Sequence, residues 1–231
     1  MDNLAFVLRD ERKLDEAESL VQKSLAVQRT LFGAEHPSVA TAVNNLALVL
    51  AAQGKYAEAA NLHREALAMR RRLLGAEHPE VAVSLDNLAL VLRKQNQPAE
   101  AEKLAREALD LRKKLFGEEH IAVATSLNNL ALALHDLARL AEAEALFQAA
   151  VAMQKKLLGT EHPSIAASLS NLAGVQRDEG KLSEAEASIR EALAIRQKLL
   201  GNQHPSVAEA QRDLDGVLAM KGKAGTGGSS R

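Results

Sequence analysis

The chain has 231 residues, of which 47% are hydrophobic, 2% aromatic and 26% charged. Its 29 Lys and Arg nearly balance 30 Asp and Glu, which argues against a protein that binds mainly by neutralising phosphates. The absence of cysteine excludes disulfide scaffolds, thiolate metal sites and cysteine nucleophiles. No apolar run reaches the roughly 18 residues of a membrane span and no secretory signal opens the chain, so the sequence predicts a cytoplasmic protein.

The sequence repeats itself with a fixed period of 42 residues. For example, asparagine occurs at positions 3, 45, 87, 129 and 171. A fixed period in this range indicates a repeat architecture. The pattern predicts a truncated first unit, four complete units and a final first helix, with boundaries at 1–35, 36–77, 78–119, 120–161, 162–203 and 204–221. Residues 222–231 have the composition of a flexible tail or a remnant of cloning. The chain has the appearance of an excised segment, because it begins inside a first helix.

Each unit predicts two amphipathic helices, here called helix A and helix B. In the unit from residue 36, apolar residues recur at i, i+3, i+4 and i+7, at Val43, Leu46, Ala47 and Leu50. A second stripe runs from Ala59 to Leu74 and ends at Gly75, a typical helix stop. Pro79 then occupies the first turn of the next helix A, where a missing N–H costs nothing. The sequence therefore predicts an all-α array of antiparallel hairpins.

These residues resemble a known family. The order of Leu46-Ala47, Gly54, Tyr56, Glu58-Ala59 and Ala66-Leu67 is similar to the tetratricopeptide repeat, whose usual period is 34. The longer period and the Gly-x-Glu-His-Pro turn resemble the variety found in kinesin light chains. The resemblance implies a right-handed superhelical solenoid whose A helices line a concave groove. A HEAT or armadillo array is the alternative, but it does not share this Ala/Gly pattern.

Histidines and carboxylates recur, but their spacing does not favour chemistry. Five of the seven histidines occupy the same turn of successive units, and stacked helices lie about 8 to 10 Å apart, too far to share one zinc ion. We therefore expect each of the five to cap or pack a helix A, and His63 and His135 to have packing or surface roles. No Ser-His-Asp set, phosphate loop or zinc-protease motif is present. The sequence predicts no catalytic residue, metal or cofactor.

Basic clusters close the B helices, at Arg70–Arg72, Arg112–Lys114, Lys155–Lys156 and Arg196 with Lys198. The pattern predicts a ridge of cations that interact favourably with the negative ends of the helix dipoles. An acidic partner surface is the alternative. Nucleic acid is not expected, because no aromatic residues are interleaved for base stacking.

The face of helix A opposite its packing stripe repeats an asparagine and an apolar residue. An amide both donates and accepts, so a row of them can pair with the backbone of an extended peptide; alternatively, each amide bonds the neighbouring helix. Nearby cations would bias the groove toward acidic ligands; alternatively, they are solvated side chains at the helix ends. The predicted groove residues are Asn45, Leu48, Asn87, Leu90, Arg93, Lys94, Asn129, Leu132, Asn171 and Arg177. Gly174 and Gly216 replace the apolar residue near the C-terminus, which makes the groove less apolar there.

The sequence thus predicts a non-enzymatic interaction module that binds a peptide or helix of a partner protein in the groove of the A helices. The alternative is a structural spacer or self-assembly arm of a larger protein. We expect a monomer or weak self-association through the truncated N-terminal end, with no nucleic-acid or membrane partner.

Overall fold

The structure is a computed structural model that describes residues 13–227, with side chains up to residue 223. Within that range it contains ten α-helices and no β-strand. In chain order they are α1 (Leu14–Phe32), α2 (Pro37–Ala52), α3 (Tyr56–Leu74), α4 (Pro79–Lys94), α5 (Pro98–Phe116), α6 (Ile121–Asp136), α7 (Leu140–Leu158), α8 (Pro163–Asp178), α9 (Leu182–Leu200) and α10 (Pro205–Gly227). The predicted all-α fold is confirmed.

From α1 to α9, helices of 19 and 16 residues alternate, and recurring signals mark the starts of the A helices and the ends of the B helices. At the start of α2, His36 Nδ1 accepts a hydrogen bond from the backbone N–H of Ser38 at 3.2 Å. The equivalent bond begins each of the remaining A helices, at His78, His120, His162 and His204. At the end of α3, Gly75 has a φ of 85°, a conformation that favours glycine. The predicted capping role of these five histidines is therefore confirmed.

The described residues form two compact units, unit 1 up to Gly117 and unit 2 from Glu118 onward. In unit 1, helices α1 to α5 pack in series, each on the next, and the A helices α2 and α4 also touch. Its interior is made of small and branched side chains such as Ala17, Val43 and Leu85. Alanines on both kinds of helix, such as Ala47 on α2 and Ala66 on α3, are fully buried, which allows adjacent A and B helices to approach closely.

Unit 2 follows the same plan, with α6 to α10 packed in series and α6 touching α8. Phe147 on α7 is fully buried in it. The last hairpin packs Ile189 against Leu214 of α10. The outer face of α10 exposes Arg212 and Asp213, as expected of a capping helix. One continuous array over residues 1–221, as the sequence suggests, stays a prediction.

The last helix extends into the C-terminal segment. α10 ends at Gly227, inside the segment that the sequence interprets as a flexible tail or a remnant of cloning, and that interpretation stays a prediction. The segment from 222 to 227 contains glycine but no proline, so nothing in it obliges a helix to stop. The truncated first helix A falls on residues 1–12, which lie outside the described residues, as do residues 228–231.

Candidate functional site

Unit 1 contains a pocket of about 310 Å³ on the predicted groove face. It is lined by Leu48, Ala51, Tyr56, Asn87, Leu90, Val91, Arg93 and Lys94. Five of the ten predicted groove residues are therefore brought together in one place. Ala51, Tyr56 and Val91 were missed, although Ala51 lies one helical turn beyond Leu48 and follows the same stripe.

The pocket arises because α2 and α4 are consecutive A helices that present equivalent residues side by side. Leu48 and Leu90 occupy the same repeat position and are each half-buried, so they form an apolar floor with surface to spare. Tyr56, the first residue of α3, forms part of the wall. Lys94 is exposed in the last turn of α4, where the helix dipole favours a cation. The site thus combines apolar surface with positive charge.

An amide pair connects this pocket with the interior of unit 1. Asn87 Nδ2 donates to Asn44 Oδ1 at 3.1 Å, and the same oxygen lies 3.1 Å from His63 Nδ1. Asn87 is half-buried, whereas Asn45 is only 7% exposed. Asn45 is therefore largely covered within unit 1, and its place in the binding groove stays a prediction.

In unit 2 the predicted groove residues are distributed differently. Asn171 Nδ2 donates to Asn128 Oδ1 at 3.3 Å, Leu132 is half-buried, and Asn129 is only 8% exposed. Asn129 is therefore covered to the same extent as Asn45. The bonds at Asn87 and Asn171 match the alternative in which amides bond the neighbouring helix. Ligand binding by these residues stays a prediction.

Arg177 lies on the rim of a second, smaller cavity of about 70 Å³, which Gly174 and Asp213 also line. Its guanidinium pairs with Asp178 at 3.0 Å, and Asp178 also contacts His135 Nε2 at 2.8 Å. Burial alone would raise the pKa of Asp178, but the hydrogen bonds from His135 and Arg177 outweigh it and lower that pKa. The positive charge of Arg177 is therefore largely compensated within the protein.

The cationic ridge expected at the ends of the B helices is only partly present. Arg70 is 2% exposed and donates to Ser84 Oγ at 2.7 Å, and Arg112 forms a buried ion pair with Asp86 at 2.5 Å. Arg70 follows Ala66 by one helical turn, so it falls on the packing stripe, and the sequence pattern already contained this signal. These two guanidiniums belong to the core of unit 1.

The outer cations of the same clusters pair with the glutamate of the Gly-x-Glu-His turn that precedes their repeat. The pairs are Arg72 with Glu35, Lys114 with Glu77, Lys156 with Glu119, and Lys198 with Glu161. The cation follows the glutamate by 37 residues in every case. Each of these exposed cations is thus paired with a carboxylate of the same chain, and an acidic partner surface at the ends of the B helices stays a prediction.

The sequence pattern indicated no candidate site at two polar side chains of the interior, His63 and Glu144. His63 is fully buried, and burial together with nearby Arg70 lowers its pKa to about 4. In unit 2, Glu144 accepts from Lys181 Nζ at 2.5 Å and from Gln176 Nε2 at 3.1 Å. The bond from Lys181 is the largest influence that holds the pKa of Glu144 below its usual range. Neither residue has an equivalent in every repeat, so periodicity gave no signal for them.

Within the described part of the chain, no group of three His, Asp or Glu side chains is arranged to hold a metal ion. No helix among residues 13–227 is long and apolar enough to cross a bilayer.

The family model of the tetratricopeptide repeat matches residues 1–72, 38–114, 97–156, 122–198 and 164–224. The chain belongs to the tetratricopeptide repeat family. Repeats of this family generally mediate protein–protein interactions and are typically non-catalytic. A protein partner is therefore the expected class of ligand for this tetratricopeptide repeat protein. No curated protein matches the chain.

Solved structures of kinesin light chain-like repeats are similar to most of this chain. One is a protein of Podosopora anserina described as a kinesin light chain with nearly identical TPR-like repeats, 30% identical, covering 86% of this chain and 94% of its own, with a TM-score of 0.68. A single-substitution variant of that protein is also 30% identical to this chain. It covers 85% of this chain and 93% of its own, with a TM-score of 0.69. BtubC (BKLC) from P. vanneervenii is 26% identical, with coverages of 87% and 80% and a TM-score of 0.70.

Proposed function

We propose that this protein is a non-enzymatic interaction module that binds an extended peptide or a helix of a partner protein on the face of its A helices. The observation that supports the proposal is the pocket of unit 1, in which Leu48, Asn87, Leu90 and Lys94 converge. Apolar surface beside an amide and a cation is suited to a short segment that has both apolar and polar groups.

The apolar floor supplies most of the binding free energy in this proposal. Leu48 and Leu90 retain exposed surface that a ligand side chain can cover. Fully burying one medium-sized apolar side chain contributes about 1.5 to 3 kcal/mol, whereas a hydrogen bond to Asn87 contributes a net of about 0.5 to 1.5 kcal/mol. Apolar contacts therefore set affinity, and polar contacts set the position of the ligand.

The proposed preference for acidic ligands is confined to unit 1. Lys94 is exposed at the pocket, and Arg93 also lines it. Arg177, the equivalent of Arg93 two repeats later, is paired with Asp178. A ligand carboxylate would thus find an exposed ammonium group at Lys94 and a compensated guanidinium at Arg177.

The experiment is a selection from a displayed library of random peptides on the wild-type protein, followed by affinity measurements on two matched variants. Leu90→Asp places a charge in the pocket, whereas Leu73→Asp makes the same change at a leucine of unit 1 that is 38% exposed and lies outside the pocket. We expect Leu90→Asp to weaken binding by at least about 10-fold and Leu73→Asp to leave it unchanged.

Equal binding by the two variants would contradict the proposed location. No enriched peptide, together with a concentration-dependent molecular mass that Leu90→Asp reduces, would instead support the self-assembly arm. For the acidic preference, Lys94→Glu should weaken the binding of a selected acidic peptide and reduce the salt dependence of its affinity. Binding that does not depend on salt in the wild type would contradict that preference.

A further inference from the structure

We propose that the buried side chain of His63 sets the direction in which Asn87 hydrogen-bonds, so that the pocket of unit 1 presents a carbonyl oxygen to a donor group on the ligand. The part of this inference that concerns the ligand rests on the proposed function. The part that concerns the protein alone does not.

Three side chains from three helices form the connection. His63 on α3 is fully buried, and its Nδ1 lies 3.1 Å from Oδ1 of Asn44 on α2. Asn87 on α4 places its Nδ2 3.1 Å from the same oxygen. Asn87 also lines the pocket, so this chain of contacts leads from the core of unit 1 to the candidate binding surface.

Two arrangements of hydrogen atoms are compatible with these distances. In the first, His63 Nδ1–H and Asn87 Nδ2–H both donate to the carbonyl oxygen of Asn44. In the second, both amides are turned over: Asn44 donates from its nitrogen to an unprotonated Nδ1 and to the oxygen of Asn87. The two arrangements place opposite atoms of Asn87 at the pocket, because an amide has one accepting and one donating end.

The second imidazole nitrogen decides between them. Nε2 of His63 is buried and has no hydrogen-bond partner among the described residues. If Nδ1 were unprotonated, neutral His63 would carry its proton on Nε2, and a buried N–H would be left unpaired. Among backbone groups, buried unpaired N–H donors are rarer than under-satisfied acceptors, and we extend this order to the imidazole nitrogens. The first arrangement leaves only an acceptor lone pair unpaired and is therefore the stable one.

A doubly protonated imidazole would also donate through Nδ1, but the interior of unit 1 opposes it. Burial is the main reason that His63 stays neutral, and the positive charge of Arg70 adds to the effect. Arg70 itself is held by Ser84 and Glu80. His63 is thus a neutral donor, and its direction is fixed by a core that does not depend on the ligand.

The chemical consequence lies at the pocket. Because Asn44 must offer its oxygen to His63, Asn87 must use its nitrogen toward Asn44, and Oδ1 of Asn87 is the atom left for a ligand. Leu48 and Leu90 line the same pocket, and an apolar setting strengthens a hydrogen bond. The partner group is therefore an N–H donor next to an apolar side chain, which describes the backbone of an extended peptide.

Unit 2 supplies the comparison within the same chain. Phe147 occupies the repeat position of His63, and Asn128 that of Asn44. Asn171 still donates to Asn128, at 3.3 Å, but phenylalanine has no N–H to fix the direction of that pair. His63→Phe therefore introduces a residue that this fold already accommodates at an equivalent position.

The first test needs no ligand. Nitrogen chemical shifts of the imidazole of His63 in the labelled, full-length protein near neutral pH report which nitrogen carries the proton. We expect the Nδ1–H tautomer. The Nε2–H tautomer, or an even mixture of the two, would overturn the inference whatever the protein binds.

The second test uses as its probe the tightest peptide from the displayed random library, remade with an ester in place of each backbone amide in turn. An ester removes one N–H donor. We expect one ester position to weaken binding to the wild type by about 5-fold to 30-fold, and to have no additional effect in Asn87→Ala. In His63→Phe the amides are free to turn over, so the same ester should weaken binding by less than about 5-fold.

The outcomes separate the two proposals. If every ester affects the wild type and Asn87→Ala equally, the donor assignment is wrong although a peptide binds. If His63→Phe keeps the full ester effect, His63 does not act through Asn87. If no peptide is enriched, the proposed function fails and the ligand part of the inference fails with it, while the tautomer is still decided by the first test.

Discussion

The two units use the same helices with the same caps, yet their interiors differ in charge. Unit 1 buries His63 against Asn44 and the ion pair of Arg112 with Asp86. At the equivalent positions unit 2 has Phe147, Asn128 and Gln154. The comparison shows that residues present in every repeat are sufficient for the hairpin fold. Residues that occur once or twice give each unit its own electrostatics and its own pocket.

The largest effect is expected from breaking the buried ion pair of unit 1. Asp86→Ala leaves Arg112 buried without its carboxylate, and such changes typically lower the free energy of unfolding by about 3 to 5 kcal/mol. Urea denaturation measures the change.

The matched control converts this pair to the neutral pair of unit 2, with the double variant Asp86→Asn and Arg112→Gln. Because Asn128 and Gln154 occupy these positions in unit 2, we expect the double variant to recover most of the stability. A double variant as unstable as Asp86→Ala would show that the pair contributes more than compensation of its own charges.

The next largest effect is a pH dependence that belongs to unit 1. The pKa of His63 is lowered from 6.5 to about 4. Between these pH values the unfolded chain therefore binds a proton at this residue and the folded protein does not. Stability is therefore complete above about pH 6.5 and falls as the pH drops toward 4, by a total of about 3 kcal/mol from this group.

Urea denaturation of the wild type and His63→Phe across this pH range isolates the effect, since the carboxylates titrate in both proteins. The difference in unfolding free energy between the two should change with pH below 6.5 and be constant above it. A difference that is constant throughout would contradict a buried neutral imidazole.

A smaller effect of opposite sign is expected at the turns that follow the A helices. Ala138 has a φ of 57°, whereas the equivalent Gly180 has a φ of 78°. This left-handed region costs a residue with a Cβ about 1 to 2 kcal/mol, partly offset by the greater freedom of glycine when unfolded. Ala138→Gly should raise the free energy of unfolding by about 0.5 to 1 kcal/mol.

Asn96, with a φ of 58°, is the control in unit 1. Asparagine tolerates this conformation better than alanine, so Asn96→Gly should change stability less than Ala138→Gly does. An equal gain at both positions would mean that the benefit is not relief of backbone strain at Ala138.

The smallest effect is expected at the exposed ion pairs on the ends of the B helices. Arg72→Ala in unit 1 and Lys156→Ala in unit 2 each remove one exposed pair, with Glu35 and Glu119. Each should lower the free energy of unfolding by less than about 1 kcal/mol, and the loss should shrink in high salt. A larger loss in one unit alone would reveal coupling to its core.

Periodicity explains why the fold was predictable and much of the interior was not. The histidine caps and the terminal glycines recur at a fixed spacing, so the helix boundaries identified in one repeat apply to all the repeats. His63 and Glu144 break the repeat, and nothing in a periodic pattern assigns a role to an exception. Arg70 was grouped with its cationic neighbours although its position on the helix places it inside.

The groove was predictable only in outline. The face that carries Leu48, Asn87 and Leu90 follows from helical geometry and the family resemblance. The burial of Asn45 and Asn129 depends on how closely successive helices pack, which a single sequence does not express. The pairing of Arg177 with Asp178 depends on side-chain conformations rather than on spacing.

The outer ion pairs also bear on how such a chain can change in length. Each cation pairs with a glutamate 37 residues earlier, in the loop before its own repeat. The same kind of pair recurs in four consecutive repeats. Losing or duplicating a whole repeat therefore brings a cation to a glutamate of the same kind, so the outer charges stay paired at the new junction. The outer ion pairs are thus compatible with a change in the number of repeats, whereas the buried pair of Arg112 with Asp86 does not recur in this way.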